Sequence, residues 1–268
     1  MASRSVEEST LRDYTARQAF TAAASSMIRT LVIIPALNEE AALPAVLDSL
    51  RRNVPDYDVV VIDDGSTDRT VAVARGAGVT VVSLPYNMGV GTALRTGFRY
   101  AHRHGYDRVV QTDADGQHDP AQIDLLLQRL DDGADLVIGS RFMARDGHYA
   151  VDRSRGAAMQ VLRAATKFLI GRTINDSTSG FRAFSAALVS EFSQTYPREF
   201  LSDTVEALLM ASYAGFRVDE VPVRMSTRAA GEPSHGGVRM ALQYIRLLTV
   251  MGLTMSFASR RAARKAAP

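Results

Sequence analysis

From Thr30 onward, apolar runs of strand length alternate with segments of helical period, and this rhythm leaves few architectures open to the chain. The runs are Leu31-Val32-Ile33-Ile34, Val59-Val60-Val61-Ile62, Val79-Thr80-Val81-Val82, Arg108-Val109-Val110 and Leu136-Val137-Ile138. Most are continuously apolar, as expected of strands buried on both faces of a parallel sheet. Between them, residues 39–51, 69–77, 91–104 and 120–130 carry helical spacing. The expected fold class is α/β, a mostly parallel central sheet with helices on both faces. After Gly139 the rhythm changes to longer helical segments, roughly 155–170, 186–195 and 202–213, then a strand at 217–223. With no internal repeat, this later part is expected to pack on the same sheet.

Composition removes several function classes. Lys and Arg number 31 against 29 Asp and Glu, a net charge of +2, so whole-chain attraction to nucleic acid is not expected. There is no cysteine, hence no disulfide, no thiolate zinc site and no cysteine nucleophile, which fits a reducing compartment. Residues 1–27 include Glu7, Glu8 and Asp13 and no continuous apolar segment, so they are expected to be a mobile extension and not a secretory signal. The main domain is then expected over residues 28–237. Residues 238–257 form an apolar-biased helical pattern carrying Arg239, Gln243 and Arg246, followed by Arg260-Arg261-Ala262-Ala263-Arg264-Lys265. The longest uncharged stretch there, residues 247–259, has 13 residues, whereas about 20 are needed to span a bilayer. Residues 238–268 thus suit an amphipathic helix and basic tail lying on an anionic membrane surface, or a helix docked on the domain.

In a parallel sheet, chemistry gathers at the carboxyl ends of the strands, where helix N-termini point N–H groups at anions. The polar motifs fall there. After the first strand, Pro35-Ala36-Leu37-Asn38-Glu39-Glu40 reads as a turn in which Pro35 ends the strand and Asn38 caps the next helix. After the second, Asp63-Asp64-Gly65-Ser66-Thr67-Asp68 places two adjacent acids where one would serve for capping. A nucleobase or ribose would explain the surplus. Asn87-Met88-Gly89-Val90-Gly91-Thr92-Ala93-Leu94 has Leu94 where a dinucleotide fingerprint needs its third glycine, and it follows the third strand, so a Rossmann dehydrogenase is disfavoured. No Gly-Lys pair exists for a Walker-type loop. Those glycines let a helix N-terminus approach a ligand or the sheet.

Gln111-Thr112-Asp113-Ala114-Asp115-Gly116-Gln117 follows the fourth strand. In extended backbone Asp113, Asp115 and Gln117 would point the same way and offer three oxygens to a hard cation such as Mg²⁺ or Mn²⁺, shared with substrate phosphates. A solvated acidic turn is the plain alternative. The ligand spacing of a calcium EF-hand is missing.

In order along the chain, Pro35-x-x-Asn38-Glu39, Asp63-Asp64-Gly65-Ser66-x-Asp68, Asn87-x-Gly89-x-Gly91-x-Ala93, Asp113-Ala114-Asp115-x-Gln117, Gly139-Ser140-Arg141 and Ser179-Gly180-Phe181-Arg182 resemble the inverting family 2 glycosyltransferases with the A-type fold. Within them the resemblance is to the dolichol-phosphate mannose synthase and polyprenol-phosphate glycosyltransferase group. It implies that Pro35, Asn38, Glu39, Asp63 and Asp64 hold the nucleoside of a GDP- or UDP-linked sugar donor, with Gly91 beside it. It also implies that Asp113, Asp115 and Gln117 hold the metal bridging the donor diphosphate, while Arg141, Ser179 and Arg182 face a polyprenyl phosphate acceptor. Asp115, Arg141 and Arg182 are the expected catalytic residues. The stretch from Arg224 to Gly237, with Arg228, resembles the family's mobile loop over the donor phosphates, although Pro233 precedes Ser234 and His235 replaces the usual lysine. Peripheral attachment at the cytoplasmic membrane face follows from such an acceptor, with a separate small membrane protein as a candidate anchor.

Transfer to a sugar or other hydroxyl, in envelope polysaccharide, glycolipid or secondary-metabolite synthesis, is the alternative. A hydroxyl needs a general base, which Asp203 or Glu206 could supply, whereas a phosphate is already an anionic nucleophile. A non-catalytic sugar-nucleotide-binding domain is a remote alternative.

Overall fold

The computed structural model describes residues 28–143, 163–197 apart from 165 and 169, and 203–226. Their elements run β1 (Thr30–Ala36), α1 (Leu43–Asn53), β2 (Asp58–Asp63), α2 (Thr70–Gly76), β3 (Thr80–Ser83), α3 (Val90–Arg103), β4 (Arg108–Gln111), a 3₁₀ turn (Pro120–Gln122) leading into α4 (Ile123–Asp131), β5 (Leu136–Ser140), β6 (Arg182–Ser185), α5 (Ala186–Thr195), α6 (Asp203–Tyr213) and β7 (Val218–Pro222). The strands form one sheet in the order β3-β2-β1-β4-β6-β5-β7. All pairings are parallel except those of β6, which is antiparallel to both β4 and β5.

Alternate side chains of each central strand feed different layers. Leu31, Ile33, Val60 and Ile62 pack with Ala93, Leu94 and Phe98 of α3, with Leu188 and Phe192 of α5, and with Leu208 of α6. Val32, Ile34 and Val61 pack with Leu43, Val46 and Leu47 of α1, Ala74 of α2, and Leu126 and Leu127 of α4. Helices therefore cover both faces, which is why the strands read as unbroken apolar runs. The chain leaves β1 toward β2 and β3 on one side and returns to β4 on the other, so the order reverses between β1 and β4 and a crevice opens at their carboxyl ends.

Three local expectations change. Residues 182–185 are a strand, β6, where no strand was expected. It is four residues long, begins with a charged side chain, and is held by ladders on both sides. Ser185 then accepts the Leu188 N–H and starts α5 at once. The first helix begins at Leu43 and not at residue 39, because residues 38–40 bond to the loop after β2. Pro35 lies inside β1, opposite Ile62. Its missing N–H does no harm there, because the β4 ladder stops at Ile33. Of the helix expected over 155–170, residues 163, 164, 166–168 and 170 are described and are helical. Residues 1–27, the loop containing Arg228, and the expected helix and tail over 238–268 lie outside the described residues.

Candidate active site

The loops after β1, β2 and β3 are stitched together by the motif residues. Asn38 adopts a left-handed backbone, φ 55°, tolerated by Asn more readily than by most residues. It does not cap α1. Its Oδ1 accepts the Thr67 N–H at 2.8 Å, and its own N–H donates to Ser66 Oγ at 2.9 Å. The Glu39 N–H donates to Thr70 Oγ1 at 2.8 Å and the Glu40 N–H to Asp68 Oδ2 at 3.1 Å. Asp68 also receives the Thr70 N–H and hydroxyl. Burial would raise the Asp68 carboxyl, but the Thr70 and Glu40 hydrogen bonds outweigh it and hold the group below its ordinary 3.8.

Asp63 and Asp64 are both buried. Asp63 Oδ1 accepts the Ser66 N–H at 3.0 Å. Asp64 takes the N–H groups of Met88 at 2.7 Å and Gly89 at 2.9 Å, fixing the entry to α3, in whose first turn Gly91 is buried. Part of the apparent surplus of acid is therefore met by backbone donors 24 and 25 residues away. Burial pushes the Asp64 carboxyl up, against the opposing pull of those two N–H groups.

The Asp113–Gln117 segment is a turn and not extended backbone, with Gly116 at φ 77°. The expected alternation of side chains therefore does not operate. The turn itself brings Asp113, Asp115 and Gln117 to the end of β4. Asp113 is partly exposed, whereas Asp115 is 6% exposed and its Oδ1 accepts the Gln117 N–H at 3.0 Å. Gly180 lies directly behind Asp113. A Cβ there would stand 2.8 Å from both carboxylate oxygens, so the residue has to be glycine for Asp113 to keep its place. Two carboxylates and an amide oxygen are the hard donor set that Mg²⁺ or Mn²⁺ accepts. Among the described residues no three His, Cys, Asp or Glu cluster as a metal site.

His118, which the sequence did not single out, organises this turn. Its Nδ1 accepts the Asp113 N–H at 3.1 Å, so the neutral ring carries its proton on Nε2, which faces Asp113 Oδ2 at 3.7 Å. The ring is buried and stacks on Phe181, centroids 5.0 Å apart. A bridge from His118 to Met225 and a bond from the Ser226 N–H to the Gln117 carbonyl, 2.9 Å, anchor the start of the basic loop on the acidic turn.

The three expected acceptor residues separate. Arg141, just past β5, pairs with Asp176: Nε and Nη2 reach its two oxygens at 2.6 and 2.7 Å, and the Arg141 N–H adds a third bond at 3.1 Å. The Asp176 side chain is fully buried, whereas that of Arg141 keeps 20% exposure. Arg182 is placed differently. It is wholly buried, and its guanidinium donates to the carbonyls of Ser179, Thr204 and Ser177 at 2.7, 2.7 and 2.8 Å. Ser179 is buried too, its Oγ accepting the Phe181 N–H. Both contribute to the support of the loop. Asp176 is the second residue the sequence did not single out; the one signal for it was an acid within the polar run Asn175-Asp176-Ser177-Thr178.

A sequence model of Glycosyl transferase family 2 matches residues 31–192, more than half of the chain. The chain belongs to this family. Among family 2 relatives, it is 32% identical over 216 residues to the polyprenol monophosphomannose synthase of Mycolicibacterium smegmatis, covering 78% of this chain and 82% of that one. Against the undecaprenyl-phosphate mannosyltransferase of Micrococcus luteus the identity is 33% over 216 residues, with 78% and 88% covered. The solved structure of glucosyl-3-phosphoglycerate synthase from Mycobacterium tuberculosis with Mn²⁺, uridine diphosphate and phosphoglyceric acid superposes with a TM-score of 0.65 at 25% identity, covering 85% of this chain and 80% of that one. The chain is thus a glycosyltransferase with the A-type fold. No helix among the described residues is long and apolar enough to cross a membrane.

Proposed function

We propose that this family 2 glycosyltransferase moves one sugar from a GDP- or UDP-linked donor to a polyprenyl phosphate, inverting the transferred carbon, with Mg²⁺ or Mn²⁺ as cofactor. The observation that carries the proposal is the convergence of Pro35 to Glu39, Asp63 and Asp64, and the Asp113–Gln117 turn at the ends of three adjacent strands, β1, β2 and β4. The relatives named for polyprenol and undecaprenyl phosphate acceptors support the lipid half of it.

In this account Pro35, Asn38, Glu39, Asp63 and Asp64 border the nucleoside, Gly91 lies at the helix start beside it, and Asp113, Asp115 and Gln117 hold the metal. The cation, when bound, stabilises the negative charge that grows on the leaving nucleoside diphosphate. Arg228 is assigned to the donor phosphates, as the family resemblance implies. Arg141 contributes the positive charge of its guanidinium to the acceptor phosphate, while its Nε–Nη2 fork is held by Asp176 and Thr178. Asp176 keeps the guanidinium in one orientation. A phosphate oxygen then attacks the anomeric carbon from the face opposite the leaving group, with no side chain required to take a proton. Residues 238–268 bring the enzyme to the anionic cytoplasmic leaflet, where such an acceptor resides, and a separate small membrane protein could strengthen the attachment.

A donor screen with Mn²⁺ or Mg²⁺ against undecaprenyl phosphate and simple sugars tests the proposal. Label extracted into organic solvent with the lipid, and lost in excess chelator, is the expected result. Label on hydroxyl acceptors alone would install the competing reaction, with Asp203 or Glu206 as candidate base.

A further inference from the structure

Glu220 stands in β7 opposite Ile138 of β5, two residues before the strand end that leads into Arg141. Its carboxylate receives three donors from a loop that has no strand partner of its own. Oε2 accepts the Asn175 N–H at 2.7 Å and Asn175 Nδ2 at 3.0 Å, and Oε1 accepts the Asp176 N–H at 2.8 Å. Arg172 Nη1, donating to the Val218 carbonyl at 2.8 Å, ties the same loop to β7 a second time. The contacts close a ring: β5 leads into Arg141, Arg141 is gripped by Asp176, Asp176 is held through its backbone by Glu220, and Glu220 returns to β5 through the β5–β7 ladder.

We propose that Glu220 is a positioning residue for the transfer, fixing the Asn175–Asp176 backbone so that Asp176 presents the Arg141 guanidinium to the acceptor phosphate. The proposal rests on the assignment of Arg141 to the acceptor. Charge-assisted bonds to a carboxylate are short and directional, and both oxygens of Glu220 are engaged, so Asp176 has little freedom to shift or turn. The Asp176 side chain is itself fully buried, so any displacement of its backbone passes directly to Arg141. A misplacement of about 1 Å can lower a rate on the order of a hundredfold. Glutamine at 220 would keep the shape but turn an NH₂ toward one of the three donors, loosening the loop while leaving β7 in place.

The test compares wild type, Glu220→Gln, Glu220→Ala, Arg141→Ala and the Arg141→Ala/Glu220→Gln pair. Geranyl phosphate serves as acceptor, thermal midpoints are recorded for each, and nucleoside diphosphate affinity is measured by calorimetry. Glu220→Gln is expected to raise KM for geranyl phosphate about tenfold, with donor KM and nucleotide affinity within about twofold of wild type. The double variant is expected to be no worse than Arg141→Ala alone, since the second change acts through a side chain already gone. Wild-type kinetics in Glu220→Gln, equal damage to donor and acceptor constants, or multiplying losses in the pair would each overturn the role. If Glu220→Ala fails to fold, the glutamine variant decides. An unchanged acceptor KM in Arg141→Ala would instead overturn the acceptor assignment itself, and the positioning role with it.

Discussion

At the scale of single residues, burial decides what an arginine does. Arg182 looks in the sequence like a phosphate ligand after a glycine turn, yet three backbone carbonyls occupy its guanidinium and none of it is exposed. Arg182→Ala removes all three of those hydrogen bonds, and hydrogen bonds to charged groups contribute about 1.5–3 kcal/mol each. The variant should lose at least ~3 kcal/mol of stability in urea denaturation; an unchanged midpoint would contradict the structural role. Gly180→Ala is the opposite case, because the added Cβ meets the Asp113 carboxylate and not the core. It should weaken Mn²⁺ affinity on the order of tenfold, read by electron paramagnetic resonance, with little change in melting temperature; unaltered affinity would mean that Asp113 is not held there for the metal. The acids of the site were legible because carboxylates directly after buried strands demand a reason. Their backbone partners were not, since Met88 and Gly89 reach Asp64 only through the fold.

At the scale of elements, helix and strand starts depend on side chains reaching between loops. Asp68 receives the Thr70 N–H in the first turn of α2 and the Glu40 N–H from the loop before α1. Its carboxyl is held below 3.8, so its contribution is present above that value and is lost as pH falls through the lower folded-state value. Asp68→Asn should therefore cost about 1 kcal/mol at pH 7. At acid pH below the folded-state value the deficit should vanish. Denaturation curves at the two pH values check this, and a pH-independent deficit would point to lost packing and not to charge. The parallel strands β1, β2, β4 and β5 were legible from apolar runs, since burial on both faces leaves that pattern. β6 was not, because a four-residue strand takes its stability from neighbours on both sides and carries almost no periodicity of its own. For the same reason the helix expected from residue 39 gives way to a loop: Asn38 and Glu39 find better partners in Ser66, Thr67 and Thr70 than in a first helical turn.

For the whole molecule, one sheet gathers the ends of β1, β2 and β4, the proposed donor side, and sets Arg141 just past β5, the proposed acceptor side. The basic residues Arg260, Arg261, Arg264 and Lys265 would each add on the order of 1 kcal/mol of attraction to an anionic surface. Removing residues 238–268 should cut sedimentation with anionic vesicles at low salt while leaving nucleotide binding intact; equal sedimentation of the two forms would assign the segment to the domain itself. The central claim is that the Asp113–Gln117 turn holds a divalent cation on the donor diphosphate. Calorimetric titration of nucleoside diphosphate into wild type and Asp115→Asn, each with Mn²⁺ and with chelator, measures it directly. Tight binding is expected only in wild type with Mn²⁺, with Asp115→Asn folded but weakened on the order of tenfold or more. Equal affinity in chelator, or in Asp115→Asn with Mn²⁺, would contradict it.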